Sequence, residues 1–397
     1  MIPPLVHTGE SVHVDEPLAS ASPAVCEKTG SISSSVSHSR SDRYKLQKAS
    51  KSILRDFDQP NGNRFSVVGC LSSLKKDFKS VSVLKGKTSD VCHFGGLQRC
   101  GSVWTCPVCA AAVTEKRAQE IVKAQELHRS KGFLTLMVTY THSHTINTKL
   151  SVTMDLLPKA MRSFRNSRKY KNLMVLIGYK GLIRSLEPTY SDNNGFHVHT
   201  HELLFLDSDD VDLSYIKSVL FSAWFDACKK HGLGLPSERR GVNIKTSFSA
   251  SDYLSKFGAE QKWSTGAELS KSHVKKGRSQ SLTMFDFLRL ASSSTDIKDK
   301  LKYSDLFKEF AFSFFGKRQI FWTNGLKKHF GIDELSDESI LDEKIDDAEI
   351  VCEIPLTDWS FMRRLSFDFR PILLDWAEKG GAFAVQNYIL MMREIYP

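Results

Sequence analysis

The sequence has no long apolar run and no visible internal repeat. Its longest apolar runs, at residues 133–138 and 203–206, are much shorter than the roughly 20 residues that a membrane-spanning helix needs. The first residues, MIPPLVHTGE, lack a basic stretch followed by an apolar one, so they do not resemble a secretory signal. We therefore expect a cytoplasmic protein without a membrane partner.

Acidic residues are in short supply over most of the chain. The 397 residues include 55 Lys and Arg against 45 Asp and Glu. Residues 333–397 contain 6 of the basic and 15 of the acidic residues, which leaves residues 1–332 with a net charge of +19. A basic body of this size predicts a polyanionic partner, with nucleic acid ahead of a membrane surface.

Large apolar side chains are scarce in the first 45 residues, which are rich in Ser, Pro and His. Such a segment cannot bury enough surface to offset its chain entropy, although 41% hydrophobic residues exclude disorder of the whole chain. The expected units are a disordered leader (1–45), a cysteine-rich zinc-binding region with a connecting helix (46–125), a main domain (126–332), and an acidic linker with a small C-terminal helical unit (333–397).

Strand and helix patterns alternate irregularly in the central part. FLTLMVTYTH has the β-branched and aromatic residues of a strand, and two strand-like segments at residues 175–190 and 196–206 flank the turn-rich SDNNG. This is a hairpin signal, with Asn and Gly expected at the positive-φ positions. Residues 215–231 have helical spacing. The pattern predicts an α+β fold with antiparallel strands rather than βαβ repetition.

The strand segment contains three alternating histidines, His197, His199 and His201. Because strand side chains alternate between faces, all three imidazoles point the same way. Three imidazoles on one face favour a divalent metal or active site. The alternative is the polar face of an edge strand.

The hairpin adds a carboxylate to this face. If Tyr190 pairs with Phe196, then Glu187 lies opposite His199 and shares its face, with Cβ atoms about 5 Å apart. A slip of one residue in register would remove this contact. Histidines with one carboxylate and open positions suit a catalytic Mg²⁺, Mn²⁺ or Zn²⁺ better than a closed structural site.

Four of the eight cysteines fall close together, at Cys92, Cys100, Cys106 and Cys109. Four thiolates over a short span favour a structural, tetrahedral Zn²⁺ in a reducing compartment. The alternatives are buried free thiols, or a redox CxxC that would leave the first two cysteines without a role. His93 is an alternative ligand to Cys92.

Downstream, Tyr253 and Lys256 are three residues apart and are expected on one helix face. A tyrosine can act as a nucleophile, and a nearby lysine can stabilise charge on a phosphate. Alone this signal is weak, because most of the ten tyrosines are expected to serve packing or hydrogen bonding.

The stretch LLPKAMRSFRNSRKYKN is basic and contains Phe164 and Tyr170. Its cations can contact phosphates, and its aromatics can stack on unpaired bases. The alternative is a solvated helix face whose aromatics belong to the core. The candidate DNA-binding residues are Arg162, Arg165, Arg168, Lys169 and Lys171.

These motifs occur in a familiar order: FLTLMVTYTH, then RSLEPTYSDNNGFHVHTHELLFL, then DYLSKFGAE, preceded by CGSVWTCPVCAAAVTEKR and followed by FFGKRQIFWTNGLKKHFGI. Over roughly residues 90–332 the sequence resembles the replication initiator (Rep) proteins of rolling-circle plasmids, within the HUH endonuclease superfamily. The resemblance implies a metal-dependent nuclease domain over residues 126–332, with a central antiparallel sheet flanked by helices.

The resemblance also implies residue roles. His199 and His201 would bind the divalent metal, with Glu187 as a third ligand, and His197 matches a family histidine. Tyr253 would be the nucleophile. Some relatives have a glutamate four residues before the tyrosine, where this sequence has Ser249.

The implied function is nicking of single-stranded or cruciform plasmid origin DNA through a 5′-phosphotyrosine, which leaves a 3′-OH for a host polymerase and involves a host helicase. The implied cofactors are Mg²⁺ or Mn²⁺ for catalysis and Zn²⁺ for structure. The alternatives are an HUH transposase, a metal-dependent hydrolase without covalent chemistry, and a non-catalytic zinc-dependent DNA-binding regulator.

Overall fold

The computed structural model describes residues 29–87, 90–208, 210–246, 281–346 and 348–397. Within these ranges, no helix is both long and apolar enough to cross a bilayer.

The described strands are β1 (Ser80–Gly86), β2 (Cys92–Gly95), β3 (Thr135–Tyr140), β4 (Tyr179–Ser191), β5 (Gly195–Leu206), β6 (Val242–Lys245), β7 (Ile320–Trp322) and β8 (Ala348–Pro355). The described α-helices are α1 (Thr29–Leu54), α2 (Pro107–Arg129), α3 (Leu150–Asn166), α4 (Arg168–Leu176), α5 (Leu213–His231), α6 (Met284–Ser293), α7 (Ile297–Ser313), α8 (Leu326–His329), α9 (Asp337–Asp346), α10 (Leu356–Met362) and α11 (Arg370–Ile395). A single 3₁₀ turn, Ser66–Val68, lies between α1 and β1 among these elements.

Two antiparallel sheets organise the described residues. The main sheet has the strand order β6-β3-β5-β4-β7, and the smaller sheet has the order β2-β1-β8. Helices flank both sheets, so the predicted α+β class with an antiparallel sheet is confirmed. The histidine-bearing strand β5 is the central strand of the main sheet rather than an edge strand.

The main sheet is covered on both faces. On one face, Leu204 and Val198 of β5 share a large core with α3, α4 and α5, where Phe164 and Trp224 are fully buried. On the other face, Leu203 and its neighbours pack against α2 and the segment around α8. The histidines of β5, His197, His199 and His201, lie on this second face as well, beyond the residues that pack against α2.

The predicted strand at residues 175–190 begins later than expected. Helix α4 continues to Leu176, and Gly178 then adopts a positive φ of 62°, which ends the helix before β4 starts at Tyr179. Apolar Val175 and Leu176 suggested a strand, but both are exposed at the end of α4.

The expected leader of residues 1–45 is too long. Helix α1 begins at Thr29, and its residues Arg40 and Tyr44 are only 3% and 5% exposed. The Arg40 guanidinium donates hydrogen bonds to Asp375, at 2.6 Å, and to Glu378 of α11. These long-range contacts could not be read from the Ser-rich sequence. Residues 1–28 lie outside the described residues.

The C-terminal region is not a separate unit behind a linker. Strand β8 pairs with β1 along its whole length, and α11 packs against α1 and the small sheet. The acidic segment is partly helical, and its carboxylates pair with cations from earlier in the chain: Asp337 with Arg117 at 2.9 Å and Asp342 with Lys75 at 2.5 Å. The local excess of acidic residues therefore neutralises part of the basic body.

Candidate active site

The β4–β5 hairpin has the predicted register. Tyr190 pairs with Phe196, and Glu187 pairs with His199. The turn differs in one detail: Gly195 has a positive φ of 76°, whereas neither Asn of SDNNG does. A Cβ at Gly195 would also lie 3.1 Å from Cα of Ile146, so this position requires glycine for two reasons.

Glu187, His199 and His201 converge on one face of this hairpin, where Glu187 pairs with His199 and Ser185 pairs with His201. One ligand atom from each residue lies within 4.8 Å of the others. His201 Nε2 is 2.6 Å from Glu187 Oε2, and the rings of His199 and His201 are nearly parallel, with centroids 6.0 Å apart. Two imidazole nitrogens and a carboxylate oxygen form a donor set that fits a divalent cation and leaves coordination positions for other ligands.

His201 is held in place from the neighbouring strand. It is 1% exposed, and its Nδ1 forms a hydrogen bond with Thr139 Oγ1 of β3 at 2.9 Å, directly across the strand pair. A hydrogen bond on one ring nitrogen fixes the orientation of the other, which here is directed at Glu187.

The opposite face of β5 is fixed by a buried ion pair. Glu202 is fully buried, and its carboxylate accepts a hydrogen bond from Arg165 of α3. Although burial opposes charge on Arg165, the attraction of Glu202 raises the pKa of this guanidinium. The pair therefore ties α3 to the strand that carries the histidines.

His197 does not join the metal-ligand group of the described residues. Its ring stacks on His144 at a centroid distance of 4.2 Å and lies 4.0 Å from the ring of His199. Burial, together with the neighbouring imidazoles, lowers the pKa of His197 to about 2 and that of His142 to about 4. His142 and His144 follow β3 in the sequence, and only the short THSH spacing could have drawn attention to them.

A pocket of about 290 Å³ adjoins these histidines. It is formed by the loop between β3 and α3, by the first turns of α3, and by the residues that follow α5. Its lining comprises His142, Ser143, His144, Thr145, Thr148, Val152, Thr153, Leu156, Gly232, Leu233 and Gly234.

Tyr253 and Lys256 lie outside the described residues, as does Ser249. The proposed nucleophile and its helix therefore remain predictions. The last described strand before them is β6, which pairs with β3 beside the histidine strand.

The cysteine cluster forms with a different fourth member. Cys100, Cys106 and Cys109 converge with Cys70, and three of the sulfur–sulfur distances are 3.6, 3.7 and 3.8 Å. Four sulfurs bound tetrahedrally at 2.3 Å from a zinc ion would be about 3.8 Å apart. The cluster therefore has the dimensions of a closed four-thiolate site.

The expected ligand Cys92 does not belong to this cluster. It lies in β2, where its backbone N–H donates to Glu378 Oε1 at 2.6 Å, and burial raises its thiol pKa to about 11. His93 lies on the same strand and is also absent from the described metal-ligand groups. Cys70 is separated from Cys100 by 30 residues in the sequence, and only the fold brings them together.

Contacts within the protein favour the thiolate of Cys106, whereas hydrogen bonding and burial raise the pKa of the Cys100 thiol well above its usual value. Cys106 caps the N-terminus of α2, and Cys109 lies in its first turn, where the helix dipole favours negative charge. Gln47 Nε2 of α1 donates to Cys106 Sγ at 3.2 Å. Although burial raises the pKa of Cys106, hydrogen bonds from the neighbouring thiols lower it well below the usual value.

The basic stretch separates into residues with different roles. Phe164 and Tyr170 are 0% and 5% exposed, so they are core residues and do not stack on bases. Arg165 is committed to Glu202, and Lys169 pairs with Asp226 at 2.8 Å. Lys169 is exposed despite this pairing, and the three other candidates, Arg162, Arg168 and Lys171, are exposed on α3 and α4 as well.

Similarity to known proteins covers about two thirds of the chain. A family model described as "Replication protein" matches residues 97–364, which is more than half of the chain. The chain is 25% identical over 337 residues to "Protein rep" of Streptomyces lividans, with 69% of this chain and 74% of that protein covered. It is 28% identical over 135 residues to "Neomycin resistance protein" of Streptomyces cyanogenus, with 28% of this chain and 31% of that protein covered. No solved structure matches.

Proposed function

Because the chain belongs to the replication protein family, we propose that it initiates rolling-circle replication of a plasmid by nicking single-stranded or cruciform DNA at the origin. The observation that carries the proposal is the convergence of Glu187 of β4 with His199 and His201 of the central strand β5 in an antiparallel sheet. A carboxylate and two imidazoles that converge within 4.8 Å form a donor set that a purely structural sheet does not require.

The nick is an exchange of one phosphodiester for another. The Oη atom of Tyr253 loses its proton to solvent and forms a bond to phosphorus, the bond from phosphorus to the 3′ oxygen breaks, and that oxygen takes up a proton, so one proton is released and one is consumed. Lys256 stabilises charge on the phosphate. The product is a 5′-phosphotyrosine and a free 3′-OH, which a host polymerase extends with the help of a host helicase.

The residues that hold the cation have defined tasks. Glu187 and the two histidines supply one oxygen and two nitrogens, and Thr139 orients His201. A bound Mg²⁺ or Mn²⁺ would polarise the phosphodiester.

DNA binding rests on the exposed cations of α3 and α4. Arg162, Arg168 and Lys171 contact phosphates without reading sequence. Arg165 has a structural task instead, because its charge is used by Glu202.

The thiol cluster of Cys70, Cys100, Cys106 and Cys109 binds a structural Zn²⁺. The sulfur spacing supports this assignment, and four protein ligands leave no open position for chemistry. A non-catalytic zinc-dependent regulator would use this cluster but would leave the group around Glu187 without a task.

The test is cleavage of labelled single-stranded oligonucleotides that tile the plasmid origin, with and without Mn²⁺. We expect cleavage at one position that needs the cation. The variants His199→Ala and His201→Ala should lower the rate at least about 100-fold, because each removes a ligand. His329→Ala, which removes an exposed histidine of α8, should cleave normally.

Metal-independent cleavage, or cleavage that survives both histidine substitutions, would contradict the metal assignment. Absence of cleavage of every origin oligonucleotide by the wild-type protein would contradict the proposed activity as a whole.

A further inference from the structure

The pocket beside His142 and His144 has no task in the nicking reaction as described. It lies one side chain away from the proposed metal ligands, because the His144 ring stacks on His197 and the His197 ring contacts His199. A group held in the pocket would therefore be close to a phosphodiester held by the metal ligands.

His142 is buried without a hydrogen-bond partner. The side chain is 5% exposed, and neither Nδ1 nor Nε2 has a partner among the described residues. Leaving a buried donor or acceptor unpaired costs about 1–3 kcal/mol, so such groups in folded proteins normally meet a ligand or water. A neutral imidazole offers one donor and one acceptor, as the edge of a nucleobase does.

The remaining lining suits the same kind of group. Leu156 and Leu233 offer apolar contacts, and Thr145 and Thr148 offer hydroxyl groups near the opening. The volume of about 290 Å³ is at the lower end of the range for small-molecule pockets, which is large enough for a single base.

The pocket walls are fixed by close packing of backbone. A Cβ on Gly234 would lie 2.0 Å from the carbonyl oxygen of Ser143, so the chain after α5 touches the loop between β3 and α3 directly. Within the described ranges, His142, His144 and His197 do not belong to a group of residues with converging ligand atoms. These three imidazoles therefore do not have the geometry of a second metal site.

We propose that this pocket, here called the loop pocket, binds one unpaired base of the origin strand, one or two nucleotides from the nicked phosphodiester. The base enters from the solvent side past Val152, which is 48% exposed, and its polar edge pairs with His142 after the imidazole turns toward the pocket, because both ring nitrogens are enclosed in the unbound protein. This inference rests on the proposed nicking function and adds a position at which sequence is read.

The experiment measures binding without chemistry. Fluorescence anisotropy without added Mg²⁺ or Mn²⁺, and without a chelator that would remove Zn²⁺ from the thiol cluster, gives the affinity of the full-length protein for the origin oligonucleotide that it cleaves, or for the tightest-bound member of the tiling set if none is cleaved. Each nucleotide in turn is replaced by an abasic analogue. For the wild-type protein, we expect one position at which loss of the base weakens binding about tenfold or more.

Two variants connect that position to the loop pocket. His142→Phe keeps the volume but removes both ring nitrogens, and Val152→Trp fills the pocket from its exposed side without altering the core. Each should bind the intact oligonucleotide about tenfold more weakly and should show no further loss with the abasic analogue. His329→Ala should keep the wild-type profile.

A profile that is unchanged in both folded variants would overturn the inference, as would the absence of any sensitive position or of any binding. Binding of Mn²⁺ alone that depends on His142 would also overturn it, because it would identify a second metal site. The binding measurement needs no cleavage. If both variants abolish the effect of the abasic position but the protein does not nick DNA, the proposed function is contradicted and the assignment of the loop pocket to a base still holds.

Discussion

Glu202 and His201 are neighbours in β5, and their side chains point to opposite faces of the sheet. One face positions a metal ligand through Thr139, and the other anchors the strand through Arg165. The carboxylate of Glu202 is fully buried, so its contribution to the free energy of folding depends on its partner. An isolated buried carboxylate would be strongly unfavourable.

We expect Glu202→Ala to lower the free energy of unfolding by about 3 kcal/mol or more, because it leaves the largely buried Arg165 without its partner. Urea denaturation measures the change. The double variant Glu202→Leu with Arg165→Met should recover much of the loss, because an apolar pair of similar size can replace a buried ion pair.

Lys159→Ala is the matched control, because it breaks an ion pair between Lys159 and Asp155 that is more than half exposed on both sides. Its effect should be below about 1 kcal/mol. A loss for Glu202→Ala no larger than that of Lys159→Ala would show that the buried pair does not anchor β5.

Helix α2 joins the thiol cluster to the main sheet. Cys106 caps its N-terminus, and near its C-terminus His128 forms a hydrogen bond to the Leu206 carbonyl of β5 at 2.9 Å. The side chain of Gln47 brings α1 to the same cluster. A metal bound by the four thiols would therefore fix two helices and the loop carrying Cys70 at one point.

Substitution of single cysteines tests which thiols bind zinc. The wild-type protein should contain about one zinc per chain, and Cys92→Ser should retain it because Cys92 lies in β2. Cys70→Ser should bind zinc at least about tenfold more weakly and should unfold several degrees lower. Elemental analysis and thermal denaturation give both readings. Retention of zinc by Cys70→Ser together with its loss from Cys92→Ser would contradict the assignment.

At the scale of the whole molecule, local patterns were predictable and distant contacts were not. The pairing of Glu187 with His199 follows from strand alternation across a short turn, so the sequence alone predicts it. Cys70 joins Cys100 only because the chain folds back over 30 residues, and no spacing rule indicates this.

The same distinction explains the other differences. Composition indicated a leader before residue 46 and a separate C-terminal unit, but β8 and α11 complete a sheet and a core that begin with α1 and β1. Arg165 had the sequence context of a DNA-binding residue, and its buried partner Glu202 is 37 residues away. The net charge of the chain predicts a nucleic-acid partner, whereas the burial of each Lys or Arg side chain decides whether it is available to contact that partner.

The most direct measurement is detection of the covalent intermediate. Protein, Mn²⁺ and an origin oligonucleotide labelled on the 3′ side of the nick are incubated and separated under denaturing conditions. We predict a labelled protein band whose phosphotyrosine maps to Tyr253 by peptide mass spectrometry, and which is absent from Tyr253→Phe and from His199→Ala. A labelled band of equal intensity in Tyr253→Phe, or cleavage without any covalent adduct, would contradict the account.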